Sequence, residues 1–239
     1  MTNRNELLVL VAHGDDETIG CGGLVPLLKR QGWKIAVVIA SSCRINRHGA
    51  IFDNRADAER ACKILGVQTL HFLDLDDQHF ERYPTQEIIA KLERLKLDPV
   101  VMITHFAHDL NRDHRIIHEI ALLYGRPTDR RISIICSEIT NNSEYLSMPF
   151  QANFYVDIGE TLEIKKEAFN CYRNEIRPYP HPQSPEGLEI MARRRGLEVG
   201  LAYAEAYHVV RWFPEWDGDR QFGTRGDSKK DVRNGIGEM

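Results

Sequence analysis

Ala12-His13-Gly14-Asp15-Asp16-Glu17 follows directly on the apolar run Leu7-Leu8-Val9-Leu10-Val11. One imidazole and three carboxylates crowded at the mouth of a buried strand are costly unless a positive centre sits among them. His13 and Asp16 are ligand types that Zn²⁺ accepts, and Asp15 between them is available as a base. An ordinary acidic turn is the plainer reading. The five apolar residues before the motif, and Gly20, Gly22 and Gly23 after it, favour the metal site.

A second cluster runs from Thr104 to His118, where His105, His108, His114 and His118 place four of the ten histidines in a short stretch. A catalytic zinc takes three protein ligands and keeps a fourth position for water. His13, Asp16 and one histidine of this cluster complete such a set. His114 and His118 are four apart and share a helix face, so spacing admits either. His105 and His108 suit places beside the ligands or in a substrate pocket, and any one of the four can simply be a hydrogen-bonded structural residue. The three glycines do not make a dinucleotide fingerprint, because the carboxylates before them would repel a pyrophosphate. They let the backbone approach closely beside the metal loop.

These two segments must be brought together by the surrounding elements. Short Val/Ile-rich runs at 7–12, 34–41, 69–73, 99–104 and 131–136 read as strands, with a further one at 154–158. Helical segments are expected at 23–31, 53–65, 87–95, 114–124 and 160–173, and a long one at 186–206. Unalternating strands separated by amphipathic helices mean βαβ units and a parallel sheet covered on both faces. The fold class is therefore α/β, Rossmann-like and doubly wound, with a mainly parallel sheet. In such sheets ligands bind beyond the carboxyl ends of the strands, and both motifs fall at such ends. Residues 1–217 read as one domain, and 218–239, rich in Gly, Asp, Arg and Lys, as a flexible tail.

Composition narrows the function classes. The chain has 239 residues, 42% of them hydrophobic, and a net charge of -4 with no long block of like charge. Neither nucleic acid nor an anionic membrane surface is expected as a partner. No apolar run approaches the ~20 residues needed to span a bilayer, and the N-terminus lacks the pattern of a cleaved signal. Five scattered cysteines without a Cys-x-x-Cys fit a reduced, cytoplasmic protein. The apolar residues of the last helix can pack on the sheet or on a second copy of the chain, which leaves a homo-oligomer open.

The motif residues resemble the LmbE-like (PIG-L) family of zinc-dependent de-N-acetylases over roughly residues 6 to 211. Ala12-His13-Gly14-Asp15-Asp16-Glu17, with the downstream Gly-Cys-Gly-Gly, is similar to the family's Ala-His-Pro-Asp-Asp-Glu. Asp113-His114 matches the close of its His-Pro-Asp-His segment. Lys165-Lys166-Glu167-Ala168 through Tyr172, then Arg195-Gly196 and Tyr203 to Tyr207, carry the likeness to the C-terminal part.

The resemblance implies that His13, Asp16 and His114 hold zinc, that Asp15 is the general base, and that Asp113 orients a ligand or charged neighbour. It selects His114 over His118. Arg55 falls where the family often has a substrate-binding arginine, although a solvated charge at a helix start fits that position equally. Gly14 replaces the usual proline, and Asn111 stands where the first histidine of His-Pro-Asp-His belongs. Asn111 can donate from its amide to the tetrahedral intermediate, or His181 on the proline-rich loop 176–186 can swing in. The implied reaction is hydrolysis of an acetamide on a small N-acetylated sugar: a glycoside, nucleotide sugar or oligosaccharide. A His₂Asp set suits Zn²⁺, while Fe²⁺, Co²⁺ or Ni²⁺ bind with similar geometry. Three rivals remain: a sugar- or nucleotide-binding module without catalysis, a hydrolase of another amide, and a phosphohydrolase, which generally holds two metals.

Overall fold

The computed structural model describes residues 5–47, 49–128, 130–145 and 148–213. The expected tail at 218–239 lies outside the described residues. The chain runs β1 (Glu6–Val11), α1 (Asp16–Cys21), α2 (Leu24–Arg30), β2 (Lys34–Ser41), β3 (Arg44–Arg47), β4 (Ala50–Asp53), α3 (Arg55–Leu65) and β5 (Thr69–Leu75). After a 3₁₀ turn at Phe80–Arg82 come α4 (Thr85–Arg94), β6 (Val101–His105), α5 (Arg112–Tyr124) and β7 (Ser133–Ser137). The last elements are β8 (Phe154–Asp157), α6 (Leu162–Phe169), α7 (Pro185–Leu197) and β9 (Ala204–Arg211).

Seven strands form one sheet in the order β5-β2-β1-β6-β7-β9-β8, and β3 and β4 form a separate hairpin. The first five strands of that order are parallel; β9 pairs antiparallel with both β7 and β8. Side chains alternate across a strand, so β1 feeds two cores. Leu7, Val9 and Val11 pack with Ala58, Ala61 and Leu65 of α3. Leu8, Leu10 and Ala12 pack on the other face with Ile88 and Leu92 of α4 and Ile117, Ile120 and Ala121 of α5. Burying each such Val, Leu or Ile contributes about 1.5–3 kcal/mol relative to exposure, which is why the centre of the sheet is the most apolar part of the chain.

Strand order reverses between β1 and β6, which pair with Leu7 opposite Val101 and Val9 opposite Ile103. A crevice opens at such a switch point beyond the strand ends. The two motifs identified in the sequence therefore come out side by side.

Four features differ from the sequence-based expectation. The helix after β1 begins inside the acidic motif, at Asp16, because the Asp15 carbonyl already accepts from the N–H groups of Thr18 and Ile19. A Cβ on Gly20 would lie 2.6 Å from Ser137 Oγ, so only glycine lets this short helix approach β7. The expected helix over 186–206 ends at Leu197. Gly200 takes a left-handed φ of 73° and the chain reverses, with Leu201 N–H donating to the Gly196 carbonyl at 2.9 Å. Ala204–Arg211 then enters the sheet as β9. The hairpin β3–β4 was not expected at all.

Candidate active site

The metal-ligand candidates sit where β1 and α5 converge. α5 starts at an N-cap, Asn111, whose Oδ1 accepts from Asp113 N–H at 2.9 Å. His114, Ile117, His118 and Ala121 then share one buried helix face. That places His114 at the open end of the helix, over the end of β1, and His118 one turn deeper.

His13 Nδ1, Asp16 Oδ2 and His114 Nε2 form a nearly equilateral triangle. Its edges are 3.2 Å (His13 to His114), 3.5 Å (His13 to Asp16) and 3.4 Å (His114 to Asp16). A tetrahedral zinc with ligands about 2.0–2.1 Å away sets its ligand atoms about 3.3–3.4 Å apart. The three side chains fit that demand as they stand, and all three line a cavity of about 350 Å³.

Each histidine turns its other nitrogen to a carboxylate. His13 Nε2 lies 3.1 Å from Asp113 Oδ2, and His114 Nδ1 lies 3.1 Å from Asp109 Oδ2. Such partners fix ring orientation and tautomer and raise ligand basicity. Both carboxylates are themselves held: Asp113 Oδ1 accepts from Phe80 N–H at 3.2 Å, and Asp109 Oδ1 from Asn111 N–H at 2.8 Å.

A second grouping, His105, Asp109 and His114, is also compact. His105 is fully buried, and its Nε2 already accepts from Ala12 N–H at 2.8 Å. Its ring stacks on His114 with centroids 3.8 Å apart. These contacts make it a support beneath His114, and burial holds its imidazole well below the usual pKa. His118 Nδ1 pairs with the His105 carbonyl at 2.9 Å, away from the cavity.

Charge is unevenly spread over the motif. Burial raises the Asp15 carboxyl well above its ordinary value, and the neighbouring Asp16, Glu175 and Glu17 push it further. Burial acts on Asp16 in the same direction, yet His114, His105 and His13 outweigh it and hold that carboxyl well below the usual range. Two adjacent aspartates thus differ in proton affinity, Asp16 the more committed anion and Asp15 the readier to take a proton.

Around the floor, the cavity wall includes Asn111, Asn142, Asp77, Gln78, Glu175 and Gln183. Asp77 Oδ2 is buried without a hydrogen-bond partner among the described residues, 3.8 Å from His13 Nε2. Of the residues expected to bind substrate, neither lines this cavity. Arg55 pairs with Asp74 at 2.7 Å and lies over the Phe72 ring. His181 is turned back into its own loop, where its Nδ1 accepts from Gln183 N–H at 3.1 Å. The proline-rich loop reaches the cavity through Gln183 instead.

Sequence reasoning did not single out Asp77, Gln78, Asp109 or Gln183. Asp109 carried a signal: an aspartate two residues before a helix-capping asparagine. The others arrive from separate loops and carried none.

Residues 8–124 match the family model described as PIG-L: GlcNAc-PI de-N-acetylase. A probable N-acetyl-alpha-D-glucosaminyl L-malate deacetylase 2 of Bacillus subtilis (strain 168) is 27% identical over 188 residues, covering 72% of this chain and 84% of its own. The N,N'-diacetylchitobiose deacetylase from Pyrococcus horikoshii, solved with its inhibitor MPG, superposes with a TM-score of 0.71 at 19% identity, over 87% of this chain and 85% of that one. GalB, the 4-carboxy-2-hydroxymuconate hydratase from Pseudomonas putida KT2440, superposes with a TM-score of 0.68 at 22% identity, over 88% of this chain and 97% of its own. One fold therefore serves more than one chemistry among these neighbours. With His13, Asp15, Asp16, Asp113 and His114 all inside the matched segment, residues 8–124 carry a PIG-L (LmbE-like) domain.

Proposed function

We propose that this protein is a metal-dependent hydrolase that removes the acetyl group from a small N-acetylated sugar, releasing acetate and an amino sugar. The observation that carries this reading is the His13–Asp16–His114 triangle opening into a cavity beside a carboxyl with raised proton affinity. His13, Asp16 and His114 would hold Zn²⁺. When bound in a site of this kind, zinc polarises a carbonyl and lowers the pKa of a water to about 7.

Asp15 takes the proton of the attacking water and returns it to the departing amine, a general-base then general-acid role. Asp113 and Asp109 keep the two imidazoles turned toward the triangle. Asn111 has its Oδ1 engaged in capping α5. Its Nδ2 remains as a donor for the oxygen on which negative charge develops, in place of the family's histidine. Asp77, Gln78 and Gln183 supply acceptors and donors for sugar hydroxyls. A neighbouring cavity of about 590 Å³ shares Ile45, Asp77 and Gln78 with the first and gives room for whatever the sugar is attached to. Arg55 and His181, outside the lining, make no direct contact with the reacting sugar on this reading. We take the described residues as a single catalytic domain, with residues 1–217 as its bounds.

Among the described residues no helix is long and apolar enough to cross a membrane. The deciding experiment measures acetate release from N-acetylated sugars, their glycosides and UDP-N-acetylhexosamines, with metal-stripped protein before and after zinc addition. Zinc-dependent acetate from one member supports the reading and names its substrate. One bound zinc with no acetate from any member overturns it in favour of the binding module.

A further inference from the structure

Asp15 occupies a backbone conformation that residues with side chains rarely adopt. Its φ is 112°, in the half of conformational space that favours glycine. Such a residue persists only where its surroundings over-determine it. Its carbonyl is fixed by Thr18 N–H at 3.0 Å and Ile19 N–H at 2.8 Å, the opening bonds of α1. Its own N–H donates to Glu17 Oε2 at 3.1 Å.

Glu17 is in turn held by two hydroxyls. Its Oε1 accepts from Thr18 Oγ1 at 2.6 Å and from Tyr172 OH at 2.6 Å. Glu17, Thr18 and Tyr172 are all buried, and neither Glu17 nor Tyr172 lines the cavity. Tyr172 lies just past the end of α6 and packs into the same core as Leu7, Val9 and Val11. A buried carboxylate with three donors two residues from the base, yet facing away from the cavity, has no evident use in binding a ligand.

We propose that Glu17 and Tyr172 are positioning residues for the base: Tyr172 fixes the Glu17 carboxylate, Glu17 holds the Asp15 amide, and the Asp15 side chain is thereby aimed into the cavity. This rests on the reading of Asp15 as the base. Tyr172, beyond the segment matched by the family model, thus takes part in catalysis without touching substrate.

The test compares Tyr172→Phe and Glu17→Gln in two backgrounds, the zinc-loaded wild-type chain and the Asp15→Asn variant. Residual rates are measured under single-turnover conditions with the substrate found above. Tyr172→Phe keeps the ring and deletes only the hydroxyl. In the wild-type background kcat is expected to fall about 10- to 100-fold, as for a displaced catalytic group, with KM and zinc content unchanged. In the Asp15→Asn background neither substitution lowers the residual rate further, because the group they position is gone. Wild-type kcat in both single variants overturns the proposal. So does an equal loss in both backgrounds, or loss of zinc or of cooperative unfolding, any of which makes the contacts merely structural. Full activity in Asp15→Asn alone would instead remove the base assignment, and this proposal with it.

Discussion

The floor of the cavity and its rim are built on opposite terms. On the floor, the nitrogens of His13 and His114 and the oxygens of Asp16, Asp109 and Asp113 are almost all committed to a neighbour, and every one of these side chains is buried. At the rim, Gln78, Asn142 and Gln183 come from three separate loops, and the β3–β4 hairpin leaves Ile51 65% exposed. The difference teaches where each property of the enzyme resides. On the proposed function, reaction chemistry, which demands fixed distances, would sit on strand and helix ends, and substrate choice, which tolerates adjustment, would be left to loops.

The sharpest way to break this contrast is to remove a ligand. His114→Ala should abolish both zinc binding and acetate release while leaving the fold, checked by metal analysis and circular dichroism. Retained zinc at one per chain would take His114 out of the ligand set. Asp15→Asn should come next, lowering kcat by about 10²–10⁴-fold with zinc still bound, the range for losing a general base.

Asp109→Asn keeps the shape of the contact to His114 but weakens it. Zinc affinity or activity should drop about 10–100-fold, read by chelator competition. At the rim, Gln183→Ala should raise KM several-fold and leave kcat close to wild type, the mark of lost uniform binding. A kcat effect as large as that of Asp109→Asn would erase the distinction between floor and rim. Arg55→Ala should be the mildest, because its partner Asp74 and the Phe72 ring lie outside the cavity. An exposed pair of this kind contributes about 0–1 kcal/mol, so kcat/KM within about two-fold of wild type is expected.

The same contrast explains what could be read in advance. His13, Asp16 and the histidine cluster were legible because they sit in two short segments next to apolar runs, and the parallel sheet dictates that strand ends meet; the choice of His114 over His118 came from the family resemblance. Asp113 was legible through its place beside His114. Asp77 was not, since its only link to the site is spatial, from a loop after β5 to the end of β1. Residues Ala204–Arg211 misled for a local reason. Ala204, Glu205 and Ala206 favour helix intrinsically. Pairing with two neighbouring strands overrides that preference. Arg55 and His181 suit a sugar by type, and in the structure each has a partner away from the cavity.

β9 has a consequence for the order in which the molecule can assemble. Glu205 on that strand accepts from the amides of Gly23 and Leu24 at 2.7 Å each, and from Lys165 Nζ at 2.7 Å. Lys165 also donates to the Ile19 carbonyl. The junction of α1 and α2, just after the acidic motif, is thus laid down near the start of the described chain and tied off by β9, 182 positions away at Gly23. Contacts so distant in sequence form slowly, because loop closure must be met before they contribute. During synthesis the residues proposed to hold zinc emerge early, yet the scaffold beside them waits for β9. Metal capture competent for turnover is therefore expected only after β9 has joined the sheet.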